Sequence, residues 1–85
     1  MQKEVKALKI RGMKTRWGVC HYQRAQITLN LELIKKPLSC IEYVVFHELA
    51  HLIHPNHSRD FWDYIQSHMS DYKERKKLLE VGQNL

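Results

Sequence analysis

The feature that most constrains the fold of this chain is an apolar run at residues 41–53, which Pro55 closes. Apolar residues lie on nearly every side of the helix that this run predicts, whereas a surface helix carries one apolar stripe. Ser39 and Glu42 have the spacing of a capping box, which predicts that the helix begins at Ser39. The helix is therefore expected at the buried centre of the fold.

Three short strands are predicted before this helix. Their apolar alternation places them at residues 5–10, 17–22 and 25–31. Gly12 ends the first strand, and residues 22–24 are a plausible hairpin connection between the other two, although they lack an Asn-Gly or Asp-Gly pair.

Two more helices are predicted after it. One covers residues 58–69 and begins at Ser58 or Asn56, both of which are good N-cap residues. The other covers residues 70–81 and ends at Gly82. We therefore expect an α+β fold, in which a small antiparallel sheet of about three strands is followed by three helices.

The length of the chain limits its stability and its organisation. At 85 residues it buries only about 60% of the surface of its unfolded form, so that help from a metal or a partner is expected. Two cysteines are too few for a disulfide scaffold, and no run of 18 apolar residues is present. Met1 is followed by polar residues rather than by a signal-peptide core. We expect a single cytoplasmic domain over residues 1–85.

Positive charge is concentrated at the start of the chain. Residues 1–24 carry seven Lys and Arg side chains and one Glu, whereas residues 25–85 carry seven cations and eight anions. Such a segment either steers an anionic ligand or nucleic acid towards the protein or forms a solvated basic face. No membrane partner is expected, and a nucleic-acid partner is possible but has no further support.

The buried helix contains a polar set, His47, Glu48 and His51, with the spacing His-Glu-x-x-His. Histidines four residues apart lie one turn apart on one helical face, so both imidazoles can bind one zinc ion. Glu48 would then lie beside the ion as a general base. Burying these polar groups is costly unless something satisfies them, and a metal does so directly.

A catalytic zinc site needs a third protein ligand and an open position for water. His57 stands six residues after His51 and past Pro55, where the chain can fold back on the helix. His54 is less suitable, because it would lie at the wrong height along the helix to reach an ion held by His47 and His51. Further candidates for the third ligand are Asp60, Glu74, Glu80, Cys20 and Cys40. His21 and His68 have no spacing argument and are predicted at the surface.

The spacing of His47, His51 and His57 is close to that of the metzincins, but two features exclude that class. Metzincins have glycine where this chain has His54. They also have a methionine turn on a separate downstream loop, whereas Met69 falls in a predicted helix.

Four blocks of sequence carry a resemblance to another family. They are residues 14–20, 27–30, 43–52, and 56–58 with 61–62. In this order and spacing they resemble the YgjP-like family of zinc metallopeptidases, which is related more distantly to the SprT-like metalloproteases. The resemblance covers residues from about 10 to 79. It implies that His47, His51 and His57 bind zinc and that Glu48 is the catalytic acid and base.

Four residues in these blocks have weaker interpretations. Arg16 either binds an anionic group or a developing oxyanion of the substrate or pairs with a buried carboxylate. Trp17 and Trp62 are predicted to anchor the core. Asn30 is expected only to end a strand.

The leading functional hypothesis is a zinc-dependent hydrolase with one Zn²⁺ per chain. Glu48 would accept a proton from the water that zinc activates and return it to the leaving group. A peptide or protein substrate makes the chain a metallopeptidase, whereas an anionic nucleotide makes it a pyrophosphatase that cleaves a phosphoanhydride. A hypothesis of a different class is a non-catalytic zinc module whose basic face binds nucleic acid or protein.

Overall fold

The computed structural model describes residues 4–81, and the elements follow the predicted order. The strands are β1 (Ala7–Arg11), β2 (Gly18–His21) and β3 (Gln26–Asn30). The helices are α1 (Leu38–Ala50), α2 (Arg59–His68) and α3 (Tyr72–Glu80), and two 3-10 helices cover Tyr22–Arg24 and Leu31–Lys35. The α+β class, with three strands before three helices, is confirmed. Lys3 of the basic segment and Gly82, the expected end of α3, lie outside the described residues.

The sheet has the order β1-β3-β2, and it is mixed rather than antiparallel as predicted. β2 and β3 are antiparallel, with Gly18 opposite Leu29. β1 is parallel to β3, with Ala7 opposite Gln26. A parallel pair needs a long crossover, and here the stretch between β1 and β3 contains β2 itself. The antiparallel prediction was wrong because alternation within a strand does not show which strand lies in the middle.

The hairpin between β2 and β3 is confirmed, and its connection explains the missing turn signature. Tyr22–Arg24 forms a 3-10 turn, and Ala25 follows in the left-handed region at φ 50°. The Ala25 N–H donates to the Tyr22 carbonyl at 3.2 Å. An alanine therefore occupies a conformation that usually favours glycine or asparagine.

The helix that carries the His-Glu-x-x-His sequence is α1, the first of the three helices in the chain. It contacts β2, β3, α2 and α3. The capping box was a wrong prediction, because Pro37 stands at the N-cap and no side chain caps this end. The Pro37 carbonyl instead accepts the first helical bond, from the Cys40 N–H at 2.9 Å. The start of α2 is confirmed, because the Ser58 hydroxyl accepts from the Phe61 N–H.

The core lies between β3 and the three helices. Its fully buried side chains include Ile27, Cys40, Phe61 and Ile65. β1 remains exposed, with Leu8 and Ile10 both 61% accessible. The basic segment is also solvent-exposed at each of its described cations, Lys6, Lys9, Arg11, Lys14, Arg16 and Arg24. None of the helices in residues 4–81 has the length and apolar character needed to span a bilayer.

Candidate metal centre

Two elements bring three histidines together at the end of α1. His47 and His51 lie one turn apart on this helix, with ring centroids 5.0 Å apart. The chain then turns, and the His54 N–H donates back to the Ala50 carbonyl at 2.9 Å. His57 comes from the segment that follows this turn, and its ring centroid lies 4.7 Å from that of His51. Helix periodicity therefore explains the first pair, and the turn explains the third member.

The Nε2 atoms of the three histidines converge on one point. His57 Nε2 lies 3.2 Å from His47 Nε2 and 3.0 Å from His51 Nε2. Nitrogens that share a tetrahedral zinc ion at about 2.0–2.1 Å are separated by roughly 3.3 Å. Within residues 4–81, this trio is the group of His, Cys, Asp or Glu side chains that could hold a metal ion. The donor set therefore fits a metal ion.

Hydrogen bonds on the opposite ring nitrogens orient two of these imidazoles. His51 Nδ1 lies 3.1 Å from the carbonyl oxygen of His54, to which it donates when it carries the proton. His47 Nδ1 lies 3.4 Å from the hydroxyl of Tyr43, one turn earlier on α1. An imidazole whose Nδ1 donates its proton keeps the Nε2 lone pair for a metal, as is typical of metal-binding histidines. The His54 carbonyl can only accept, so it selects this tautomer for His51, whereas the Tyr43 hydroxyl is compatible with either tautomer of His47.

The ring of Phe61 forms the floor of the cluster. It is completely buried. Its centroid lies 5.1 Å from His47, 4.5 Å from His51 and 5.1 Å from His57. Trp62 stacks on His57 from the side, at 5.6 Å and 25°. Apolar packing from α2 therefore holds the three imidazoles in place without using their nitrogens.

Burial also favours the neutral form of the two imidazoles on α1. The pKa of His47 is lowered to about 4, chiefly because burial disfavours the charged form, and the neighbouring His51 and His57 add to the effect. Burial likewise lowers the pKa of His51. Neutral imidazoles have a lone pair available for a metal, so protons do not compete strongly with an ion at neutral pH.

Glu48 lies next to the cluster but outside the metal-ligating group. It is 7% exposed, and no hydrogen bond to its carboxylate is found within residues 4–81. Burial raises its pKa to about 7, against the opposing effect of the Arg16 charge. A carboxyl group with this pKa can both accept and donate a proton near neutral pH.

Gly18 allows the sheet to approach this carboxylate closely. A Cβ at position 18 would lie 3.0 Å from Cγ and 3.1 Å from Oε2 of Glu48, and 3.2 Å from a methyl group of Val44. A side chain there would press on the glutamate. The glycine at the start of β2 therefore permits close packing against α1, and a larger residue there would require the Glu48 or Val44 side chain to move.

Two clefts meet at His47 and Glu48. The metal-side cleft, about 410 Å³, is bordered by β2 and by the three histidines. The α3-side cleft, about 320 Å³, lies between the segment before β2, α1 and α3. Arg16 and Gly18 line both clefts. His47 and Glu48 therefore lie where the two clefts adjoin.

Asn30 holds the loop that carries Arg16. Its side-chain amide donates to the carbonyls of Met13 at 2.9 Å and Arg16 at 2.8 Å. Its carbonyl oxygen accepts from the N–H groups of Met13 at 3.3 Å and Glu32 at 3.0 Å. Asn30 ends β3 as expected, and in addition it positions the loop at the mouth of both clefts.

The remaining candidates lie away from the cluster or contribute no ligand atom to it. The His54 ring packs on Tyr64 instead. Cys20 lines the metal-side cleft, where burial, with the Glu48 charge adding to it, raises the pKa of its thiol to about 11. Cys40 is fully buried in the first turn of α1. Asp60, Glu74 and Glu80 are exposed, as is His68, whereas His21 is half-buried at the end of β2. Both tryptophans are partly buried against the core.

Sequence reasoning gave no role to Tyr43, Gly18, Phe61 or Lys76. The contact of Tyr43 with His47 could have been predicted, because Tyr43 stands four residues before His47 on the same helix. The other three take their roles from contacts between elements distant in sequence. No periodicity or spacing points to them.

The site belongs to a recognisable class: a helix with the sequence His-Glu-x-x-His and a third histidine folded onto it is typical of metal-dependent hydrolases. The sequence profile of the YgjP-like metallopeptidase domain matches residues 1–81, and the chain belongs to this family. The predicted resemblance is therefore confirmed, and the name of the family indicates a metallopeptidase-like hydrolase. No curated protein and no solved structure matches the chain.

Proposed function

We propose that this chain is a zinc-dependent peptidase in which His47, His51 and His57 hold the ion and Glu48 moves the proton. The observation that carries the proposal is the convergence of three imidazoles beside a buried glutamate that ligates nothing. When bound, zinc supplies a Lewis acid that activates water and polarises a carbonyl. Zinc is preferred because it suits three nitrogen ligands in tetrahedral geometry.

Glu48 supplies the general acid and base. Its carboxylate accepts the proton of the attacking water, and the resulting carboxylic acid donates that proton to the nitrogen of the departing amine. Burial raises the pKa of this carboxyl to about 7 in the metal-free protein, and this burial favours proton exchange near neutral pH. Arg16 lines both clefts at this point and is placed to interact with charge on the substrate.

The number of ligands supports catalysis over a structural role for the ion. Structural zinc sites are closed by four protein ligands and are often rich in cysteine. Here three histidines form the group within residues 4–81, and the nearby thiol of Cys20 is not a member. A fourth position is therefore left for water or substrate.

The free edge of β2 favours a peptide over a nucleotide. β2 is an edge strand, and the Asn30 N–H donates to the Trp17 carbonyl at 2.9 Å. Hydrogen-bonded and non-hydrogen-bonded pairs alternate in an antiparallel ladder, so the N–H and C=O groups of Gly18 and Cys20 point away from β3. Both residues line the metal-side cleft, where an extended peptide can pair with this edge.

The first test is the metal content of the purified protein by elemental analysis. We expect about one equivalent of zinc in the natural chain and none in His57→Ala. His54→Ala is the matched control, because His54 is three residues away and contributes only its backbone carbonyl to the cluster. A folded protein without metal would overturn the proposal.

The second test is hydrolysis of a mixture of quenched fluorescent peptides. Glu48→Gln is expected to keep its zinc and its fold and to lose activity by at least about 100-fold. Glu74→Gln, on the exposed side of α3, is the control for loss of a carboxylate. Full activity in Glu48→Gln contradicts the mechanism, and hydrolysis of nucleoside triphosphates but of no peptide contradicts the substrate class.

A further inference from the structure

Two cations from distant parts of the chain line the α3-side cleft. Arg16 comes from the loop before β2, and Lys76 comes from α3. Within residues 4–81, neither side chain forms an ion pair, whereas Arg75, the neighbour of Lys76, pairs with both Glu42 and Asp71 at 2.9 Å. The two cations of the cleft therefore keep their charge available for a ligand.

Both cations share this cleft with the groups that would carry out the reaction, because His47 and Glu48 also line it. A ligand in the cleft that contacts Arg16 and Lys76 therefore lies beside the proposed general base.

The rest of the cleft adds apolar wall from Trp17, Val44 and Leu79. Glu80 also lines the cleft. Burial and then the Glu80 charge raise the pKa of the Tyr43 phenol to about 12. No ion pair joins Glu80 to either cation in the described part of the chain.

We propose that the α3-side cleft is a substrate subsite for a carboxylate, which Arg16 and Lys76 bind beside Glu48. The carboxylate belongs either to an acidic side chain next to the cleaved bond or to the C-terminus of the peptide. This subsite rests on the proposed peptidase function. It makes that function selective for peptides with negative charge adjacent to the cleaved bond.

The test compares matched peptides on the zinc-loaded protein. One pair differs by Glu against Gln beside the cleaved bond, both with amidated C-termini, and a second pair differs only by a free or amidated C-terminus. We expect at least about a tenfold preference in kcat/KM for the carboxylate in one of the two pairs, which identifies its source. Lys76→Gln and Arg16→Gln should each reduce that preference to less than about threefold.

Lys77→Gln is the matched control, because Lys77 follows Lys76 on α3 but does not line this cleft. It should leave the preference unchanged. The dissociation constants of the same peptides for Glu48→Gln provide a readout that does not depend on turnover, and they should show the same preference.

Cleavage without preference in either pair overturns the subsite and leaves the peptidase function intact. If Lys77→Gln abolishes the preference as fully as Lys76→Gln does, the preference comes from the overall positive charge of α3, and the specific subsite is overturned. If no peptide is cleaved by the natural chain, the proposed function fails, and the binding measurements decide the subsite separately.

Discussion

The two walls of the candidate active site are held in place by different forces. On the helical wall, three histidines rest on the completely buried ring of Phe61. On the opposite wall, the loop that carries Arg16 is exposed and is held by the amide of Asn30. Packing positions the three histidines that we propose as metal ligands, and directed hydrogen bonds position the loop that carries Arg16.

This difference predicts which properties a mutation in each wall will change. A defect in packing spreads to every neighbour, because an interior at crystal-like density has few ways to relax. A lost hydrogen bond at a loop changes the position of one segment and leaves the remaining core in place. Loss of metal and loss of fold should therefore go together on the helical wall, and substrate affinity should change alone on the loop wall.

The largest effect is expected for Phe61→Ala, which removes the floor of the histidine cluster. Truncation of a buried phenylalanine costs about 3–5 kcal/mol, a large part of the stability of a chain of 85 residues. Urea unfolding followed by circular dichroism, with zinc and with EDTA, measures this cost. Phe61→Leu keeps an apolar group and should lose less. An Ala variant with normal stability and normal zinc affinity would show that the histidines do not depend on this ring.

A smaller and more local effect is expected for Asn30→Ala. This change leaves the Met13 and Arg16 carbonyls without their donor, at a cost of about 1–3 kcal/mol in the free energy of unfolding. Zinc content should stay the same while KM rises, because the loop alone is released. Thr28→Val is the control, since Thr28 is buried on the same strand. If Asn30→Ala loses zinc, the two walls are coupled after all.

The smallest effect is expected in the pH dependence of the stability of the metal-free protein, to which His47 and Glu48 contribute in opposite directions. The pKa of His47 falls from 6.5 to about 4 on folding, so its contribution to stability is lost as pH decreases from about 6.5 towards 4. The pKa of Glu48 rises from 4.5 to about 7, so its contribution is present at low pH and is lost as pH increases from about 4.5 to 7. In the natural chain these two changes in the free energy of unfolding with pH nearly cancel.

Variants separate these two changes in EDTA between pH 7 and pH 5. Glu48→Gln should become less stable on acidification and His47→Gln more stable, each by up to about 1.4 kcal/mol per pH unit. His68→Gln, at the exposed end of α2, should follow the natural chain. Identical pH profiles for all the variants would mean that neither group changes its proton affinity on folding.

The prediction from sequence succeeded where the cause is local. Strand alternation and helix caps depend on neighbouring residues, so the order of the elements and the Ser58 cap were predictable. Ser39 illustrates the limit, because its spacing to Glu42 is that of a capping box, whereas the N-cap of α1 is Pro37, two residues before Ser39. The parallel pairing of β1 with β3 was also not predicted, because the residue pattern within a strand does not show which other strand it pairs with.

The sequence by itself determined the chemistry that is available: two histidines and a glutamate at helical spacing, and a third histidine after Pro55. Helical periodicity places the first two histidines on one face, independently of the tertiary structure. The tertiary structure decided the surroundings, namely that Phe61 lies beneath the imidazoles and that Gly18 lies against Glu48. It also decided that Arg16 and Lys76 face one cleft. These contacts join residues far apart in the chain, and only the packing of sheet against helices brings them together.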